Sequence, residues 1–124
     1  MMNSKIMVID DDFLLREVIE DVLSIDGFGV DAFSNTSDAS FYLRSQTPSV
    51  IICDRYLPDR SGIQWLQLES EQLIKNRIPI IVLTADQDRL DDLLMKEPLS
   101  SLDIKMLKKP FKNQELLANI HALV

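Results

Sequence analysis

The chain has 124 residues, a size that suits one domain of residues 1–124 able to bury roughly two thirds of its unfolded surface in a single core. Its formal charge of −7 argues against nucleic acid or an anionic membrane surface as a direct partner, since both call for a basic patch. No apolar run approaches the roughly 18 residues of a membrane span, the amino terminus lacks a signal peptide's apolar stretch, and the single cysteine, Cys53, can form no internal disulfide, so a cytoplasmic protein is expected.

In chain order, Ile6, Met7, Val8 and Ile9 read as a strand that runs into Asp10, Asp11 and Asp12. Leu15, Val18, Ile19, Val22 and Leu23 then recur at steps of three and four, an amphipathic helix that Gly27 can stop. Residues 29–33 suggest a short strand with no reactive end group. Thr36 or Ser37 can cap a helix turning Ala39, Tyr42 and Leu43 inward, and Pro48 closes it. Val50, Ile51, Ile52 and Cys53 form the next strand and deliver Asp54 to its carboxyl end, where open α/β sheets place their chemistry. Cys53 itself reads as a small buried hydrophobe.

A loop over residues 55–62 leads to a helix carrying Ile63, Leu66 and Leu73, with Trp65 as a packing residue. Ile80, Ile81, Val82 and Leu83 form a strand ending at Thr84. Residues 87–96 pattern as a helix through Leu90, Leu93 and Leu94, ended by Pro98. A strand over 104–107 runs into Lys108, Lys109 and Pro110. The last helix, from Lys112 or Asn113, buries Leu116, Leu117, Ile120 and Leu123 and leaves His121 on its surface. Five alternations of strand then helix, joined by right-handed crossovers, make one parallel sheet covered on both faces.

In such a sheet the acids, the hydroxyl and the amine at the strand ends gather at one edge. Asp10, Asp11 and Asp54 are ionised near neutrality by their reference values, and at about 4 Å each pair repels by about 4 kcal/mol at an effective dielectric of 20. That cluster calls for a cation. Few ligands, all oxygen, suit Mg²⁺, with Mn²⁺ as a substitute. A strand-end carboxylate there can act as a nucleophile toward phosphorus and form an aspartyl phosphate, which makes Asp54 the candidate reactive residue. Phosphoryl transfer also needs an ammonium and a hydrogen-bond donor around the transferred oxygens, and Lys109 and Thr84 supply them.

With Asp10 and Asp11, then Asp54 with Pro58 and Gly62, then Thr84 with Ala85, then Lys109 with Pro110 and Phe111, the chain resembles the receiver domain of two-component response regulators over essentially its whole length. The resemblance implies a flavodoxin-like sheet in the order 2-1-3-4-5, doubly wound with five helices. It implies that a histidine kinase or phosphotransfer protein phosphorylates Asp54, and that the domain catalyses its own phosphorylation and dephosphorylation. It further implies Mg²⁺ held by Asp10, Asp11, Asp54 and the backbone carbonyl of Tyr56, with Asp12 outside that set. Output is then a phosphorylation-dependent contact with a downstream protein or output domain. Tyr56 and Asp86, two residues past Asp54 and Thr84, are expected to flank the route of water to the acyl phosphate.

Two departures stand out against that family. Met106 occupies the place, three residues before the lysine, where receivers usually carry Tyr or Phe, and residues 96–103 lack glycine and contain Pro98. A degenerate receiver that binds partners without phosphorylation is therefore a second reading. A haloacid-dehalogenase-type phosphatase is a third, although it wants a second aspartate two residues after its nucleophile, where this chain has Tyr56.

Overall fold

Strands β1 (Lys5–Ile9), β2 (Gly29–Phe33), β3 (Val50–Asp54), β4 (Ile80–Thr84) and β5 (Ile104–Lys108) form one sheet in a computed structural model that describes residues 4–85 and 87–124. Every pairing is parallel and the order is β2-β1-β3-β4-β5, the order the resemblance implies. Helices α1 (Phe13–Ile25), α2 (Thr36–Leu43), α3 (Gly62–Lys75), α4 (Gln87–Leu94) and α5 (Asn113–Leu123) connect the strands and cover both faces.

The central strands are almost continuous apolar runs because neither face meets water, and every residue of β3 and β4 is buried. Alternation along the strands divides their side chains between two layers. Ile6, Val8, Val50, Ile52, Ile81, Leu83 and Leu107 pack with Ile19 and Leu23 of α1 and Leu116 and Ile120 of α5. Met7, Ile9, Ile51, Cys53, Ile80 and Val82 pack with Ala39, Leu66, Leu73 and Leu90 of α2, α3 and α4. Trp65 is fully buried in that second layer, its indole Nε1 donating to Ser40 Oγ at 2.9 Å, which is the packing role expected of it.

Three local expectations are corrected. Val18 is 47 % exposed, because it lies one residue, about 100° of helix, away from Ile19, which faces the sheet. Asn35 caps α2, its side chain accepting from the Asp38 amide at 2.8 Å, so Thr36 and Ser37 are already helical. Helix α4 ends at Leu94, before Lys96. Beyond it, Leu99–Ser101 makes a 3₁₀ turn in which the Ser101 hydroxyl donates to the Glu97 carboxylate at 2.7 and 2.8 Å. His121 is on the surface as expected, with Nε2 2.5 Å from an Asp26 carboxylate oxygen. Among the described residues no helix is long and apolar enough to cross a membrane.

Candidate functional site

Parallel strands finish together at one edge, so their last side chains meet if the alternation agrees. Asp10 continues the Ile6 and Val8 series, Asp54 the Val50 and Ile52 series, and Lys109 follows Leu107 by two residues, all on the layer of α1 and α5. The outcome is a compact cluster. One carboxylate oxygen from each of Asp10, Asp11 and Asp54 lies within 4.8 Å of the other two. Lys109 Nζ stands 2.9 Å from Asp54 Oδ1 and 3.7 Å from Asp10 Oδ2. Asp10 is fully buried, Asp54 is 8 % exposed and Asp11 is exposed, so the cluster opens to solvent on one side.

Local chemistry on each side of the cluster fixes these positions. Asp10 Oδ1 accepts from the Asp12 amide at 2.9 Å. Asp12 turns away because it caps α1, its side chain accepting from the Leu14 and Leu15 amides at 3.1 and 3.2 Å. Arg16, one turn further along, donates from Nη1 to the Asp10 carbonyl at 2.6 Å. After β3, the Gly62 amide donates to the Arg55 carbonyl at 2.7 Å. A β-carbon at position 62 would lie 2.2 Å from the Asp54 carbonyl oxygen, so only glycine lets the loop fold back this tightly. The Lys109 amide donates to the Thr84 carbonyl at 2.9 Å, and the following peptide bond to Pro110 is cis.

Burial is the main cause that raises the Asp10 carboxyl above the usual carboxylate value; the Asp12 amide opposes it and the Asp54 charge adds to it. Asp54 is raised as well, by burial first, against the hydrogen bond and charge of Lys109. Burial would lower the Lys109 ammonium, but its hydrogen bond to Asp54 and the Asp10 charge outweigh that and raise it. Among the described residues Asp10 Oδ2 is buried with no hydrogen-bond partner, and the Lys109 ammonium stands 3.7 Å from it. A buried carboxylate oxygen left in that state is costly, and three converging carboxylates are a donor set that fits a hard divalent cation.

The other expected site residues fall around this cluster. Thr84 is buried at the end of β4, where alternation sets it with Val82 on the α2, α3 and α4 layer, the opposite one from Asp54. Tyr56 forms a backbone bridge with Ser61, and its side chain, 62 % exposed, has the Arg55 guanidinium 5.2 Å from the ring centroid. Met106 is half-buried opposite Val82, packed against the cluster that contains Leu90. Asp86 lies outside the described residues.

Sequence reasoning missed three contributors. An aspartate just before an amphipathic run is a helix-cap signal, so the role of Asp12 was legible in principle. Arg16 and Asp59 carried no such signal, because each acts on a backbone group that the fold brings to it. Asp59 accepts from α2, 23 residues earlier, and these bonds hold its carboxyl down at about 2 against the opposing effect of burial.

The family model described as response regulator receiver domain matches residues 6–121. The virulence transcriptional regulatory protein PhoP of Salmonella choleraesuis is 32 % identical over 120 residues, covering 97 % of this chain and 51 % of PhoP. The transcriptional regulatory protein GltR of Pseudomonas aeruginosa is 38 % identical over 122 residues, covering 96 % of this chain and 48 % of GltR. The chain thus spans about half the length of the curated relatives it matches. Among solved structures, the receiver domain of the Francisella response regulator 1452 superposes with a TM-score of 0.81 at 25 % identity, covering 98 % of this chain and 96 % of that one.

Proposed function

We propose, from the premise that the chain belongs to the response regulator receiver domain family, that Asp54 is its phosphoacceptor and that a histidine kinase or phosphotransfer protein supplies the phosphoryl group. The observation that carries this reading is the contact of Lys109 Nζ with Asp54 Oδ1 at 2.9 Å, beside the unpartnered Asp10 Oδ2. Burial alone would favour a protonated, unreactive Asp54, and Lys109 opposes that, holding the carboxylate form that can attack.

Asp10, Asp11 and Asp54, with the Tyr56 backbone carbonyl, would hold Mg²⁺, or Mn²⁺ in its place, as the carboxylate cluster supports. The chemistry such an ion would supply there is neutralisation of charge on the oxygens of the entering phosphoryl group. An Asp54 carboxylate oxygen forms the new bond to phosphorus while the bond from phosphorus to the donor breaks and its electron pair leaves with the donor. Lys109 then exchanges a carboxylate for phosphoryl oxygens, keeping a charge-assisted hydrogen bond throughout. Thr84 donates its hydroxyl proton to another phosphoryl oxygen, which requires its side chain to move from the layer it shares with Val82. Output passes to a downstream protein or a linked domain. A reducing, cytoplasmic setting suits the unpaired, buried Cys53.

Mass spectrometry after incubation with acetyl phosphate and Mg²⁺ tests the reading. One phosphoryl adduct mapped to Asp54 is expected. No adduct would favour a receiver that works without phosphorylation, and steady turnover of phosphate monoesters would favour a phosphatase.

Two further outcomes concern lifetime and switching. The Tyr56 ring, two residues past Asp54 and with the Arg55 guanidinium 5.2 Å from its centroid, should obstruct in-line attack by water. Tyr56→Ala is expected to shorten the phosphorylated lifetime, and an unchanged decay rate would remove the shielding role. Met106 is unbranched with three rotatable bonds and can fill the space beside Val82 in several rotamers, so it carries little of the energy difference between two states. Met106→Ala should change only modestly the ratio of partner affinities with and without phosphate, whereas Thr84→Ala should largely abolish that ratio. The reverse ranking would make Met106 a true switch residue.

A further inference from the structure

The loop after β3 is tied at its tip to a helix that takes no part in the acidic cluster. Each Asp59 carboxylate oxygen lies 3.1 Å from the Thr36 amide, and Oδ2 also accepts from the Thr36 hydroxyl at 2.8 Å, the Ser37 amide at 3.1 Å and the Ser37 hydroxyl at 3.2 Å. The two amides are donors that the start of a helix leaves open. Asn35 satisfies the Asp38 amide, and Asp59 takes the two amides before it. The anchor is firm, because Thr36, Ala39 and Leu43 of α2 are all buried.

At its base the same loop is closed by the Gly62 amide on the Arg55 carbonyl and by the bridge between Tyr56 and Ser61. Leu57 and Pro58 alone separate Tyr56 from Asp59, and proline's fixed φ stiffens that span, so a shift at Asp59 reaches Tyr56 instead of being absorbed between them. Taking the acidic cluster as the Mg²⁺ site proposed above, we propose that Asp59 is a positioning residue for it, clamping the loop to the start of α2 so that the Tyr56 carbonyl is held where the ion needs an oxygen. The five hydrogen-bond contacts favour the ionised Asp59 carboxylate, so its charge is in place at neutral pH.

A helix cap alone would lower stability and leave metal affinity unchanged, and that difference provides the test. Mg²⁺ is titrated into the purified chain at fixed ionic strength, followed by backbone amide NMR shifts, and urea unfolding without metal is measured in parallel. Asp59→Ala should weaken Mg²⁺ binding about tenfold, the low end of what residues that orient metal ligands contribute. Asp59→Asn, isosteric and keeping one acceptor oxygen, should fall between that variant and wild type. Asn35→Ala removes the other cap of α2 without touching the loop, and should cost stability while binding Mg²⁺ like wild type. Wild-type affinity in Asp59→Ala, or an equal loss in Asn35→Ala, overturns the positioning role and leaves the metal site standing. If wild type itself shows no saturable binding, the reading of the acidic cluster fails and the positioning role falls with it.

Discussion

Asp54→Asn should abolish labelling by acetyl phosphate while leaving the fold in place. The carboxamide has the size of the carboxylate and occupies a site that is already nearly closed to water, so the packing around it changes little. What disappears is the nucleophile, since a neutral amide oxygen does not compete with water for phosphorus. Asp10 offers no ready substitute: it is fully buried and one of its oxygens is engaged by the Asp12 amide. A label that persists and maps to Asp10 or Asp11 would overturn the assignment. Lys109→Ala tests the second half of the site. It removes the cation at 2.9 Å from Asp54 Oδ1, and labelling should slow about 100-fold, the usual scale for deleting one group that stabilises developing charge.

Asp10→Asn should raise the melting temperature of the metal-free protein and weaken its response to Mg²⁺. Three carboxylates meet one ammonium here, so neutralising Asp10 relieves repulsion that the empty cluster cannot offset. A gain of about 1 kcal/mol would shift a domain of this size by about 4 °C. In wild type, Mg²⁺ at about 100 times its Kd should stabilise by about 2.7 kcal/mol, and the variant should lose most of that. The pH dependence has a definite sign. Asp10 and Asp54 are both raised above 3.8, chiefly by burial, so the folded state binds protons more readily than the unfolded one. Their contribution therefore makes the metal-free fold less stable as pH rises from 3.8 through their raised values, and Asp10→Asn should flatten that slope. Asp59 acts oppositely: held at about 2, it contributes stability above 3.8 that is lost as pH falls toward 2. A wild-type melting temperature unmoved by millimolar Mg²⁺ at constant ionic strength would sink the metal reading.

The local pattern of residues by itself determined the strands, the helices and the chemistry at the strand ends. Apolar runs such as Ile80 to Leu83 are read without knowing their neighbours, and a period of two carries Asp10 and Asp54 onto the same layer once the strands are parallel. Apolar patterning does not say which strand lies beside which, so the order β2-β1-β3-β4-β5 was legible only through resemblance to a family. Tertiary structure alone decided which of several possible partners each polar group takes. Asn35 caps α2 by accepting from the Asp38 amide, while the amides and hydroxyls of Thr36 and Ser37 turn to a carboxylate of the β3 loop. Such contests are settled by distances between segments far apart in the chain, and a hydrogen bond that depends on a few tenths of an ångström leaves no trace in the order of residues.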